Sequence, residues 1–281
     1  MSRWIVGGLR RGIRTTRFPD PRAVAEEQAG STVALHWQKL TGSKALSAAA
    51  LCPTDAISAT GTHENGELRF DAGACVMCGR CTRLLPEAFQ SVADPRVAVR
   101  DRGRLQMVLS WQDGQPPAPA ALRREAAQVQ RRAYRLFRHS LHIRHVDAGS
   151  CNGCESELQM LGSPYVDLHR LGLFFTPTPR HADALLVTGV VTANMEEPLL
   201  ETYRAIPEPK LVIAAGACAV SGGVFAHGPT TKGPLDRLLP VDTYVPGCPP
   251  TPQAMLHGLL LAIDRAEERY GHDRGEDGRG T

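Results

Sequence analysis

The chain has 281 residues, a net charge of only +3 and eight cysteines, and is long enough for two domains that each bury a core. Eight cysteines in this length fall far below the density of a disulfide-stapled secreted module, and their C-x-x-C spacings suit metal better, so the cytoplasm is the expected compartment. No phosphate-binding loop, dinucleotide fingerprint or hydrolytic triad appears, and no second C-x-x-C pair of the kind a nickel site needs.

Residues 1–30 form a basic N-terminal segment. Arg3, Arg10, Arg11, Arg14 and Arg17 stand against Asp20 alone in the first twenty residues, mixed with Trp4, Ile5, Val6, Leu9 and Ile13. That composition suits either a short helix lying in a membrane interface or a flexible terminus. Arg10-Arg11 is not followed by the apolar stretch a twin-arginine export signal needs, so export is not expected.

The first cysteine group is Cys52-Pro53, then Cys75-Val76-Met77-Cys78-Gly79-Arg80-Cys81. In the bacterial ferredoxin run C-x2-C-x2-C-x3-C-P, three thiols bind one cluster and the one before proline reaches across to the other. Cys75, Cys78 and Cys81 supply three and Cys52 the fourth. The second quartet would fall at Gly42, Ala45, Ala48 and Leu85, and every ligand there is missing. Residues 31–111 thus resemble a two-cluster ferredoxin that keeps its fold and Pro86 but only one 4Fe-4S cluster. Zinc is the alternative occupant of four thiolates. Leu68, Phe70 and Val97, Val99 alternate as short strands, with a helix expected after Cys81.

Residues 112–139 read as a boundary. The run from Gln112 to Ala120 is Pro-rich linker chemistry, and Ala121 to Arg138 is a basic helix. Its arginines suit anionic lipid, nucleic acid, an acidic subunit or a solvated face.

Residues 140–264 alternate strand and helix. The expected strands are His142–Val146, Ala184–Thr188, Leu211–Ala215 and Thr243–Val245, and the expected helices Glu155–Leu161, Met195–Tyr203 and Pro252–Ile263. Leu211 to Thr231 lacks charge, but its glycines and Pro229 favour a strand and a loop over a membrane span. Such a pattern predicts a parallel sheet with helices on its faces, and ligands gather outside the carboxyl ends of its strands. Cys151, Cys154, Cys218 and Cys248 all fall there, as one metal-cluster cage built from three loops. The Gly149-Ser150 and Gly216-Ala217 amides are expected to approach cluster sulfurs. Residues 265–281, charged and Gly-rich, are expected to be disordered.

Gly149-Ser150-Cys151-Asn152-Gly153-Cys154-Glu155-Ser156-Glu157, Gly216-Ala217-Cys218-Ala219 and Pro246-Gly247-Cys248-Pro249-Pro250 together resemble the small subunit of membrane-bound, energy-converting nickel-iron hydrogenases. They are also similar to the related iron-sulfur subunit of respiratory complex I. The complex I relative usually carries adjacent cysteines in the first motif, so the Asn152-Gly153 spacer favours the hydrogenase branch.

The resemblance implies an α/β protein: a parallel flavodoxin-like sheet domain preceded by a small α+β ferredoxin-like domain, here fused in one chain. It implies a 4Fe-4S cluster on Cys151, Cys154, Cys218 and Cys248, making two 4Fe-4S clusters with that of Cys52, Cys75, Cys78 and Cys81. It also implies electron relay to or from a nickel-iron hydrogenase-like large subunit, with membrane-arm subunits and a further ferredoxin-type donor, on the inner face of the cytoplasmic membrane and without nucleic acid. The alternatives are the same relay in a complex-I-like oxidoreductase lacking nickel, and a zinc-stabilised binding scaffold. No catalytic residue is expected in the chain, but Glu155 and Glu157 are candidate proton-relay carboxylates, with stabilisation of the helix start as their plainer role. His139, His142 and His145 are read as structural, and His227, in a Gly-rich loop, as a weaker functional candidate.

Overall fold

The computed structural model describes residues 15–16, 32–36, 39–112, 118–119, 140–268 and 270. The expected basic helix at 121–138 and His139 lie outside the described residues, as do 271–281 and all of the N-terminal segment except Thr15 and Thr16. Those two threonines sit against the sheet domain: Thr16 N–H donates to the Tyr165 carbonyl at 2.8 Å, and Thr16 is buried.

The N-terminal unit is built on antiparallel pairs. Strand β1 (Thr32–Leu35) is followed by helix α1 (Gly42–Leu51), β2 (Ile57–Gly61), β3 (Gly66–Asp71), helix α2 (Arg80–Leu84), β4 (Phe89–Val92), β5 (Gln106–Trp111) and β6 (Ala118–Pro119). One sheet pairs β1 with β4, and the other runs β2-β3-β5-β6. Alternation in β3 turns Leu68 and Phe70 inward, where Phe70 meets Phe89 edge to face at 6.5 Å.

Two expectations for this unit need correction. Val97 and Val99 do not extend its sheet; the third strand is β5, paired with β3 from Gly66↔Trp111 to Asp71↔Gln106. Val99 instead exchanges both backbone hydrogen bonds with Tyr244 of the second unit, at 3.0 and 2.8 Å. Within the expected linker, Ala118–Pro119 adds an edge strand to β5, where a residue without an N–H is tolerated.

The second unit is a five-stranded parallel sheet. In chain order come β7 (Leu141–Asp147), α3 (Gly153–Met160), β8 (Leu173–Phe175), β9 (Ala184–Thr188), α4 (Ala193–Ala205), β10 (Leu211–Ala215), α5 (Ala217–Ser221), β11 (Thr243–Val245) and α6 (Pro252–Ala262). Its order is β8-β7-β9-β10-β11, the flavodoxin-like 2-1-3-4-5 arrangement, with the switch point between β7 and β9. Strands β9, β10 and β11 are buried at every position, which is why they read as unbroken apolar runs.

Helix α6 explains how the two units join. Thr251 caps it through Ala254 N–H, Pro252 opens it, and every residue from Gln253 to Ala262 is buried. A helix apolar all round needs cover on both sides. The sheet supplies one side, where a Cβ on Gly258 would stand 2.3 Å from Val245 Cγ2, and Ala98 of the first unit approaches the same point at 3.5 Å.

The start of the expected disordered tail is packed. Asp264 and Glu268 pair with Arg100 and Arg104 at 2.9 Å each, Arg265 donates to the Leu171 carbonyl, and Tyr270 is buried. Among the described residues no helix is long and apolar enough to cross a membrane.

Candidate metal centres

The first cysteine quartet converges on one small hollow. Cys52, Cys75, Cys78 and Cys81 line it together with apolar Val33, Ile57 and Phe70. Backbone conformation makes this convergence possible: Met77 and Gly79 take left-handed φ of 55° and 69°, turning the chain back between successive cysteines. The remote Cys52 is tied in through Thr54, whose hydroxyl donates to the Ala74 carbonyl at 2.9 Å and lies 3.9 Å from Cys52 Sγ.

The positions of the missing quartet are filled by packing. Ala45 and Ala48 are fully buried, and Trp111 lies across Gly42, its Nε1–H donating to the Thr62 carbonyl at 3.1 Å. A Cβ at Gly42 would stand 2.3 Å from the His63 carbonyl oxygen and 2.7 Å from Trp111 Nε1.

The second quartet gathers at the carboxyl ends of the parallel strands. Cys151 and Cys154 follow β7, Cys218 opens α5 beyond β10, and Cys248 follows β11. Asn152 adopts φ 67° between the first two, a conformation Asn tolerates better than most residues. Three glycines clear the space. A Cβ at Gly216 would lie 2.6 Å from Cys154 Sγ and one at Gly223 3.0 Å from Cys218 Sγ, while at Gly189 it would strike the Ser150 amide nitrogen at 2.6 Å. Any larger residue would close the cradle or lift the Cys151 loop from the end of β9.

The backbone amides expected to face a cluster are engaged elsewhere. Gly149 and Ser150 N–H both donate to Asp147 Oδ1, at 2.9 and 2.8 Å, while Gly216 N–H donates to the Val245 carbonyl and Ala217 N–H to that of Gly247. By helix geometry the first-turn amides of α3, and those of Cys218 and Ala219 in α5, have no intrahelical acceptor.

The thiols of each quartet influence one another electrostatically. Burial pushes Cys75 up to about 12, and the charges of Cys81, Cys52 and Cys78 add to the rise. Burial likewise pushes Cys154 up to about 12, with Glu155, Cys218, Cys248 and Cys151 adding, and Cys218 up to about 11. Cys81 and Cys248 are raised for the same reasons. A cationic core bound among them would offset the rise at Cys75, Cys81, Cys154, Cys218 and Cys248 by favouring their thiolate forms. Converging thiols, apolar walls and glycine-cleared space fit an iron-sulfur cluster at each quartet.

Beside the second quartet lies a hydrogen-bonded chain of polar residues. Glu155 accepts from Ser150 Oγ at 2.6 Å and from the Thr188 hydroxyl, whose oxygen in turn lies 2.8 Å from His145 Nε2. Since Thr188 has one proton and gives it to Glu155, it accepts from His145, which places the imidazole proton on Nε2. Burial lowers the His145 pKa, opposed by Glu155 and Asp147. His145 and Glu155 also line a cleft of about 510 Å³ with Arg144 and Phe175. His145, read from the sequence as structural, thus joins this polar chain through Thr188. The signal in the sequence was a histidine continuing the inward alternation of Leu141 and Ile143 to the strand's carboxyl end.

The other candidates separate from this group. Among the described residues the Glu157 side chain makes no hydrogen bond or ion pair, whereas that of Glu155 makes two hydrogen bonds. His142 stacks on Phe174 at 5.5 Å and lies 3.3 Å from Asp183, a packing role. His227 sits in the loop beyond α5, and among the described residues its side chain makes no hydrogen bond to this chain of groups.

Residues 151–262 match the family model described as NADH ubiquinone oxidoreductase, 20 Kd subunit. The chain is 50% identical over 121 residues to the probable membrane-bound hydrogenase subunit mbhJ of Pyrococcus furiosus, covering 43% of this chain and 72% of that one. It is 41% identical over 159 residues to formate hydrogenlyase subunit 7 of Escherichia coli, covering 57% of this chain and 62% of that one. With an NADH-quinone oxidoreductase subunit of Citrifermentans bemidjiense it shares 46% identity over 117 residues, 41% of this chain and 68% of the relative.

Proposed function

We infer, for a chain that belongs to the family of the NADH ubiquinone oxidoreductase 20 kDa subunit, that it is the electron-transfer subunit of a membrane-associated nickel-iron hydrogenase complex. It is an oxidoreductase component, and family membership implies an iron-sulfur cluster and partner subunits. The finer reading is two 4Fe-4S clusters, one on Cys52, Cys75, Cys78 and Cys81 and one on Cys151, Cys154, Cys218 and Cys248. When bound, each cluster accepts and releases one electron. The chain's own residues hold the two stations, partly bury Cys75 and Cys154, and set the distance between them.

The observation that carries this reading is the convergence of two separate thiol quartets in one chain, one of them along the carboxyl ends of the parallel strands. Residues 31–111 and 140–264 are the two cluster-bearing domains. The side carrying the exposed residues Cys151 and Cys248 is the one that would meet a large subunit, whose own metal performs the chemistry. The chain is peripheral on the inner face of the cytoplasmic membrane, held there by membrane-arm subunits, and a ferredoxin-type donor meets the N-terminal cluster.

The two-residue spacer between Cys151 and Cys154 and the hydrogenase relatives favour hydrogenase over quinone chemistry. Co-purification of the complex followed by metal analysis tests this. Nickel in the large subunit and reduction of both clusters by hydrogen are expected; a nickel-free complex reduced only by another donor would assign the chain to the complex-I-like branch.

A further inference from the structure

The loops that carry the two quartets touch. Gly73 stands two residues before Cys75, and Val220 two residues after Cys218. A Cβ on Gly73 would lie 2.8 Å from Val220 Cγ1 and 2.8 Å from the Arg102 guanidinium, so one cysteine loop lies directly on the helix that bears a cysteine of the other cage.

Arg102 fastens that contact. Its Nη1 and Nη2 donate to Asp71 Oδ1 and Oδ2 at 2.8 and 2.7 Å, and its Nε donates to the Val220 carbonyl at 3.3 Å. Asp71 in turn accepts from Gly73 N–H at 2.8 Å and from Gln106 Nε2 at 3.2 Å. A guanidinium suits this place because its planar fork satisfies a carboxylate with two donors and still has a third for the carbonyl. That carbonyl lies near the carboxyl end of α5, where a cation is favoured. The Arg102 and Asp71 side chains are only 18% and 15% exposed, so water competes weakly for the pair.

We propose that Arg102 is a positioning residue which fixes the separation of the two cysteine cages, and that the Gly73–Val220 contact is the route by which electrons pass between them. With both quartets holding their clusters, one electron would pass from the reduced to the oxidised one, with no bond made or broken. This rests on the reading of both quartets as 4Fe-4S sites, and it assigns to one side chain outside both quartets the job of holding the wire's midpoint.

The test uses the intact complex with Arg102→Gln and, as the milder change, Arg102→Lys, which keeps a charge beside Asp71 but cannot hold Asp71 and Val220 together. Electron paramagnetic resonance of the fully reduced protein reports the magnetic interaction between the two clusters, and rapid-mixing reduction reports transfer between them. Arg102→Gln is expected to keep both individual signals and the iron content while weakening the interaction and slowing transfer several-fold, with Arg102→Lys in between. Hydrogen exchange, which needs no cluster, should quicken in both variants at 72–77 and at 220–225. Unchanged exchange, interaction and rate in Arg102→Gln would overturn the proposal. A wild-type protein with only one cluster signal would overturn the two-cluster reading instead, and the exchange result would still decide whether Arg102 clamps the two loops.

Discussion

A Cβ at position 216 would stand 2.6 Å from the sulfur of Cys154, so Gly216 and that ligand share one space. Gly216 also has φ 91° and ψ 152°, an extended positive-φ conformation that is essentially glycine's alone and costs other residues about 1–3 kcal/mol. Gly216→Ala should therefore displace Cys154 and empty the C-terminal site while leaving the N-terminal one. Iron content is expected to fall from about eight to about four per chain, with one cluster signal surviving. Full iron in the variant would show that the cage has slack the geometry denies.

Glu155 and Glu157 should behave differently although both follow the second cysteine pair. Glu155 joins Ser150 to Thr188 and through it to His145, whereas Glu157 touches none of these. Glu155→Gln is expected to lower turnover of the intact complex at unchanged iron content, and Glu157→Gln to leave it alone. Equal turnover of Glu155→Gln and wild type would remove Glu155 as a proton relay.

Restoring the missing ferredoxin cysteines should not restore a cluster. In Gly42→Cys, Ala45→Cys, Ala48→Cys and Leu85→Cys combined, the first Cβ meets the His63 carbonyl at 2.3 Å and the Trp111 ring nitrogen at 2.7 Å. Overpacking of this kind costs about 1–3 kcal/mol, so the expected result is a lower melting temperature and iron still near eight per chain. Binding of about twelve iron would mean that the hollow persists beneath Trp111.

Much of the sheet domain was legible because it is buried on both sides. Ala184–Thr188, Leu211–Ala215 and Thr243–Val245 are continuous apolar runs closed by glycine or proline, and they are strands over those same residues. Leu173–Phe175 escaped notice because three residues carry no period. The choice of Val97 and Val99 over Gln106–Trp111 failed for a different reason: both stretches can present apolar side chains inward, and only the pairing of Val99 with Tyr244 across the two units decides between them.

At the cages, spacing alone pointed to both quartets, since C-x-x-C and Cys-Pro patterns are local. Which amides would face the sulfurs was not local, because Asp147 and the carbonyls of Val245 and Gly247 capture the expected donors. Arg102 was equally hidden, being remote in sequence from Val220 and joined to it only when the two units meet.

The central claim is that one chain holds two independent 4Fe-4S clusters, and iron with acid-labile sulfide analysis of anaerobically purified wild type and Cys52→Ser tests it most directly. About eight iron and eight sulfide per wild-type chain are expected, and about half of each in Cys52→Ser, with the signal of the C-terminal cluster intact. Zinc without sulfide in the wild type, or loss of both clusters on changing Cys52 alone, would contradict it.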